Sequence, residues 1–348
     1  MTSTTDNPQV VFYHYTFSPY AKRVAWYLTL RGIPYSQCLQ PTLMPRPDLE
    51  LLGINHRRIP LMAIDKDIYV DTRLILAKLE TLFPDRPKLG APASSADKVA
   101  LEHLLQMFTT ESGLFTAAAS LLPKDLPGLD QKAFFRDRAE FFYGNKDDPH
   151  RPPQKPAPKR PEAENTVEAA MDFLENGLLS DGRQWILGGE GPSLAEIHTI
   201  WPFIWLASMP GALPSNRFNK ERFPLVFSWM DRFRREVAQA KASGPKPGDL
   251  KGEAAADLIA SRPFEKAHKT TEEFDTERVH AGLEIGDQVT VWPADTGSSH
   301  KDTGKLVSLT MQEAVIEING SKGSVRLHTP RRGFKLVKGT PAQREQKL

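Results

Sequence analysis

Residues 16–24 read TFSPYAKRV, and Ser18 stands directly before Pro19 at the head of a helical pattern. Proline suits the first helical position and serine is a favoured N-cap, so the pair predicts a helix start. A helix N-terminus presents unpaired backbone N–H groups and the positive end of the macrodipole, which favour thiolates and other anions. Ser18 is therefore either a plain cap or a hydroxyl donor to a bound anion, and the local sequence leaves both readings open. Three phenols lie close by, Tyr13, Tyr15 and Tyr20, and compete for any activating role. The single cysteine, Cys38, excludes an intramolecular disulfide and a cysteine-based zinc site, and it reads as a packed strand residue. The nine histidines show no HxH or HxxxH spacing, so no metal site is expected. No phosphate loop and no GxGxxG after a strand is found.

The elements that must position Ser18 are legible from periodicity. VVFYHY, 10–15, is a β-branched and aromatic run that predicts a strand. Ala21, Val24, Ala25 and Leu28 then recur at helical spacing, and Gly32 ends the helix. PYSQCLQ predicts a second strand. After a proline-rich loop, two strands are expected at about 61–64 and 68–70 around a turn at Asp65-Lys66-Asp67. A helix follows from Thr72, with Ile75, Leu76, Leu79 and Leu82 on one side. This β-α-β, loop, β-β-α order predicts helices on a small mixed sheet.

FPDRPKLGAPASS, 83–95, reads as a linker, and the chain is helical in pattern from Ala96 to about Ala242. The strongest segments are 96–122, 165–179, 193–207 and 224–241. Within this region a Pro-rich charged insert, 145–165, cannot build a core and is expected to be a mobile loop. GPKPGD, 244–249, marks a second break, and a short helix is expected near 251–261. From Leu283 the period changes to two. DQVTVWP, GKLVSL, AVIEI, SVRLH and FKLV predict five short strands and a small all-β unit, a barrel of the SH3-like kind.

The 348 residues leave room for two or three domains, and a net charge of +2 implies no strongly charged partner for the chain as a whole. The segment from Lys322 to Lys347 is the exception: its eight Lys and Arg face Glu345 alone. It is either a solvated surface or a contact for an acidic or nucleic-acid partner. The polar N-terminus lacks a signal-peptide pattern, and no apolar run approaches a membrane span, so a cytoplasmic location is expected. Gln346-Lys347-Leu348 resembles a peroxisomal address with Gln in place of the usual Ser.

Three stretches together carry a family resemblance. SPYAKRVAWYLTLRGIPY, 18–35, resembles the first helix of serine-type and omega-type glutathione transferases, where Ser or Cys before Pro opens the helix. RRIPLM, 57–62, is similar to their basic-x-Ile/Val-Pro segment. YVDTRLI, 69–75, stands where the family usually has Glu-Ser before the next helix. The resemblance implies a thioredoxin-like glutathione-binding domain over 8–86 and an all-α domain over 96–264. The β-barrel expected at 280–340 is additional, as in a fungal long form.

The resemblance also implies roles. Glutathione would be the co-substrate, and Ser18 would stabilise its thiolate for attack on an apolar electrophile. Tyr15 is the alternative to Ser18. Pro60 would be cis, turning the N–H and C=O of Ile59 toward the peptide. Asp71 would take the γ-glutamyl ammonium and Thr72 the neighbouring carboxylate, with Asp-Thr replacing the usual Glu-Ser. Arg57, in preference to Arg58, would pair with the glycyl carboxylate. A cysteine in place of Ser18 would instead favour disulfide exchange.

QWILGGEGPSLAEIHTIWPFIWL, 184–206, follows the family's order in the helical domain, with Ser193 and Glu196 as a capping box. Trp201, Trp205, Phe108, Phe115, Phe141 and Phe142 either line an apolar second-substrate pocket or pack in the core. Family members usually dimerise across the thioredoxin-like and helical domains, so a homodimer is one expectation. The C-terminal barrel, with Trp292 and a basic last strand, looks like modules that bind peptides or nucleic acid. A packed structural extension is the other reading. The same fold hosts non-enzymatic scaffold proteins, which is the alternative to an enzyme.

Overall fold

Residues 8–123, 131–144, 157–265 and 282–339 are described by the computed structural model of the chain. The first strand, β1, spans Val10–His14 and is followed by α1, Pro19–Leu30. Next come β2, Ser36–Leu39, a four-residue helix α2, Pro47–Glu50, and the hairpin of β3, Leu61–Ile64, and β4, Asp67–Val70. The helix α3, Thr72–Leu82, completes the expected order. β1 runs parallel to β2 and antiparallel to β3, and β3 pairs antiparallel with β4.

Alternation along these strands sorts their side chains between two cores. Val10, Phe12, Met62, Ile64 and Tyr69 face α1, α3 and the helical region. Val11, Tyr13, Leu61, Ala63, Ile68 and Val70 face the opposite way. The strands are buried on both faces, which explains their nearly continuous apolar runs.

The helical region comprises α4, Ala96–Glu111, α5, Leu114–Ser120, α6, Gln131–Tyr143, and α7, Arg160–Phe173. A π-turn at Leu174–Leu178 extends α7. Then come α8, Leu194–Ala207, and α9, Pro224–Ser243. The segment expected as one helix over 96–122 is two, because Gly113 takes φ 91° between α4 and α5. Of the Pro-rich insert expected over 145–165, residues 145–156 lie outside the described residues. Its end is helix rather than loop. Pro161 sits in the first turn of α7, where its missing N–H costs no hydrogen bond.

A two-residue strand β5, Gly248–Asp249, adds to the β2 edge, and α10, Gly252–Ser261, follows. The five C-terminal strands are β6, Gln288–Pro293, β7, Asp302–Leu309, β8, Glu313–Gly320, β9, Gly323–Pro330, and β10, Phe334–Lys338. They do not close into the barrel expected from sequence. They join the first sheet, giving ten strands in the order β10-β6-β7-β8-β9-β4-β3-β1-β2-β5.

The reason is edge pairing. β4 leaves one edge open, and β9 pairs with it in parallel, matching Asp67 to Arg326, Ile68 to Leu327 and Tyr69 to His328. An exposed edge of unpaired backbone groups is thereby covered. The apolar side chains of β6–β10 share the second core with β1, β3 and β4. Gly320 lets the β8–β9 turn abut α2: a Cβ there would lie 2.5 Å from the Leu51 carbonyl oxygen.

Trp292 is buried, with the Lys301 ammonium 4.9 Å from its ring centroid, and so offers no exposed aromatic surface. Several bases of the C-terminal segment are paired within the chain: Lys322 with Asp257, Arg332 with Glu111, and Lys338 with Asp287. Residues 340–348, which include the three of the address-like terminus, lie outside the described residues. Among the described residues no helix is long and apolar enough to cross a membrane.

Candidate functional site

Strand register brings the separate stretches to one end of the sheet. Tyr13 of β1 lies opposite Leu61 of β3, which lies opposite Val70 of β4. Ser18 therefore leaves the sheet just past that row, Ile59-Pro60 enter just before it, and Asp71-Thr72 follow it directly. Sequence spacing cannot supply this convergence, because it comes from pairing across some fifty residues.

Ser18 caps α1, its Oγ accepting from the Ala21 N–H at 3.1 Å. It is 2% exposed. Among the described residues its own hydroxyl hydrogen has no acceptor. The first turn of α1 holds no acidic residue, so the positive end of the helix is not neutralised locally. One hydroxyl thus serves the cap and keeps a donor to spare.

The Ile59–Pro60 bond is cis. Among the described residues the Ile59 N–H and C=O have no hydrogen-bond partner. Those two groups are the ones an added peptide strand would use. The bond before Pro45 is also cis, which nothing in the sequence reading anticipated.

Asp71 caps α3 with φ 71°, and its carboxylate is committed to a neighbour. Oδ1 accepts from the Arg73 N–H at 2.9 Å and from Nε at 3.0 Å, and Oδ2 accepts from Nη2 at 2.8 Å. Burial would raise its pKa, but the hydrogen bonds and charge of Arg73, with Arg58 adding, hold it at about 2. Arg73 also reaches the Arg332 carbonyl at 3.2 Å, bringing the β9–β10 turn to the head of α3.

Thr72 is buried, and its Oγ1 accepts from Arg23 Nη1 at 2.8 Å. Arg23 is fully buried and its pKa is lowered to about 10, chiefly by burial. Its Nη2 lies 2.8 Å from His198 Nδ1. Burial pushes His198 well below its ordinary pKa, so Nδ1 of the neutral ring is the acceptor. Because Arg23 can only donate, Thr72 keeps its own hydroxyl hydrogen for another acceptor. Arg23 was invisible as a site residue in sequence, since an arginine inside an amphipathic helix ordinarily reads as surface.

The phenols are placed differently. Tyr15 packs against the second core, on the face away from α1, with the Arg46 guanidinium 6.0 Å from its ring. Tyr13 is fully buried, its hydroxyl has no hydrogen-bond partner among the described residues, and burial raises its pKa strongly. Tyr20 lies against Phe115 and Trp201, at ring distances of 4.9 and 4.7 Å, and burial raises its pKa as well.

Arg57 and Arg58 are both engaged within the chain. Arg57, 2% exposed, pairs with Asp137 at 2.8 Å and with Glu140, both on α6, and donates to the Asp137 carbonyl at 2.7 Å. Arg58 pairs with Asp295 and donates from Nε to the Thr296 carbonyl at 2.9 Å. The β6–β7 turn therefore sits over this segment, and the Gly297 N–H bonds the Phe141 carbonyl of α6 at 2.7 Å. Asp302 fixes the same segment by accepting from the Asn55 N–H at 2.7 Å, and burial raises its carboxyl to about 7.

Trp201 is fully buried, its Nε1 bonded to Thr109 Oγ1 at 3.2 Å and to the His198 carbonyl at 3.1 Å, as a core residue. Trp205 is buried too, against Phe17 and Phe115. Half-buried Phe17, Tyr20 and Phe115 leave partial aromatic surface near the start of α1, while Phe108 lies against Phe173 at the end of α7. Phe141 and Phe142 belong to α6 instead, with Phe141 beneath Arg57 at 5.2 Å. Cys38 is buried, and its thiol is pushed up to about 12, chiefly by burial.

A thioredoxin-like α/β unit followed by an all-helical one is the glutathione S-transferase-like architecture, and the chain is GST-like in fold. Residues 12–87 match the family described as glutathione S-transferase, N-terminal domain. Residues 117–242 match a domain of unknown function, DUF7962. A GST-like protein from Pseudomonas syringae is similar in structure, with a TM-score of 0.68 at 21% identity, over 95% of this chain and 99% of that one. Rice GST1, solved in complex with glutathione, has a TM-score of 0.49 at 18% identity, over 72% of this chain and 95% of that one. No curated protein matches the chain.

Proposed function

We propose that the chain binds glutathione at this end of the sheet and conjugates its thiolate to an apolar electrophile. The observation that carries the reading is the unpaired N–H and C=O of Ile59, set between two helix N-termini. One of these helices carries Ser18 and the other Thr72. Ser18 donates its free hydroxyl hydrogen to the sulfur, and the α1 terminus favours the thiolate. Thr72 donates to the γ-glutamyl carboxylate. Asp71 holds Arg73 and the head of α3 in place, while one face of its carboxylate serves the ammonium. The electrophile meets the sulfur against Phe17, Phe115 and Tyr20. No covalent protein intermediate is needed, and positioning with thiolate stabilisation supplies the rate.

Calorimetry with millimolar glutathione tests binding, and turnover of an aryl halide tests catalysis. Ser18→Ala is expected to leave the Kd within about twofold and to lower turnover at least roughly tenfold, the loss of one charge-stabilising donor. Unchanged turnover would remove Ser18 from the chemistry. A second reading, a non-enzymatic GST-like binding protein, is favoured by the cover that α6 and the β6–β7 turn place over Arg57 and Arg58. Absence of glutathione binding would select it.

A further inference from the structure

Glutathione presents a γ-glutamyl end, a thiol and a glycyl carboxylate. Among the described residues the cations beside the Ile59 segment are Arg46, Arg57, Arg58 and Arg138, and the chain itself occupies each. Arg57 is closed in by Asp137 and Glu140. Arg58 is taken by Asp295 and the Thr296 carbonyl. Arg46 is buried, donates to the carbonyls of Pro41 and Arg57, and lies over Tyr15. Arg138 holds Asp137 at 2.7 Å and the Thr42 carbonyl at 3.0 Å. Among the described residues a carboxylate arriving here finds no guanidinium without a resident acceptor, and to pair with Arg57, Arg58 or Arg138 it would have to displace Asp137, Glu140 or Asp295.

We propose that the site reads the γ-glutamyl and cysteinyl parts of a thiol peptide and leaves its C-terminal carboxylate without a cation. Its substrate class is then γ-glutamyl thiols in general, whether the C-terminus is free, blocked or absent. The inference rests on the reading that this site takes glutathione. Arg57 and Arg58 act as struts that tie α6 and the β6–β7 turn to the cis-proline segment.

The test is calorimetry of the full chain with glutathione and with its glycyl monoethyl ester, in which that carboxylate is blocked. The two Kd values are expected to agree within about threefold. A bound charge-assisted pair would instead separate them by roughly tenfold or more. Asp295→Asn, in an exposed turn, frees Arg58 and is expected to open a preference for the free acid of about fivefold. A wild-type preference above about threefold overturns the proposal, and so does an unchanged ratio in Asp295→Asn. Failure of both ligands to bind would instead overturn the glutathione reading itself, so the two failures are distinguishable.

Discussion

Thr72→Val separates the two duties of one hydroxyl. Valine has the shape of threonine, so no cavity opens and the change is confined to hydrogen bonding. On the inner side, Arg23 Nη1 loses its 2.8 Å acceptor in a fully buried place. Among the described residues Arg23 Nε has no hydrogen-bond partner, so the guanidinium keeps His198 as its one hydrogen bond there, beside the Trp201 ring at 5.5 Å. Leaving a buried donor unsatisfied costs about 1–3 kcal/mol, and a charged donor falls at the upper end. On the outer side, a hydrogen bond to a carboxylate contributes about 1.5–3 kcal/mol, and a loss of about 2 kcal/mol raises Kd roughly 30-fold. Urea unfolding reads the first loss and glutathione calorimetry the second. Thr72→Ser restores both within a factor of about two, since the hydroxyl returns. A Val variant that unfolds earlier yet binds glutathione like the wild type would refute the outward donor and leave Thr72 a structural residue.

Three further outcomes follow from the way the C-terminal strands dock. His328 is held between Asp67 at 2.8 Å and Glu313 at 3.2 Å. Burial alone would lower its pKa, but the two carboxylates raise it above 6.5 overall. Its contribution is therefore complete below the unfolded value and fades as pH rises through the folded one. Urea midpoints should fall over that window in the wild type and stay flatter in His328→Gln. Gly320→Ala drives a Cβ into the backbone of Leu51 and Leu52 at 2.5–2.8 Å, and should destabilise by about 1–3 kcal/mol in the same assay. The β4 edge is covered by β9, and Arg332 bridges Glu111 of α4 to Arg73 of α3 within the chain, so light scattering should report the mass of one chain.

Much of the first sheet and its helices was legible because local signals agreed with one another. Ser18-Pro19 reads as a cap, Gly32 as a stop, and Asp65-Lys66-Asp67 as a turn; the structure has the cap and the stop there and turns at Asp65-Lys66, with Asp67 already in β4. The family motifs named the positions that converge, Ser18, Ile59-Pro60 and Asp71-Thr72. Their side-chain partners were not legible. Asp137 and Glu140 lie some eighty residues from Arg57, and Asp295 lies 237 residues from Arg58. No periodicity spans such a gap. The five C-terminal strands were each visible from their two-residue period, but period says nothing about which edge a strand will pair.

Sequence alone therefore determined the strands and main helices of the first sheet, the five C-terminal strands, and which residues stand at the head of α1 and α3, while α6 and the break between α4 and α5 were not read from it. Tertiary structure decided two things. It joined β9 to the open edge of β4, because an unpaired strand edge is satisfied by whichever strand the second core brings beside it. It also spent Arg57 and Arg58 on carboxylates from α6 and the β6–β7 turn, because a cation that packing buries must take its counter-charge from whatever packs against it.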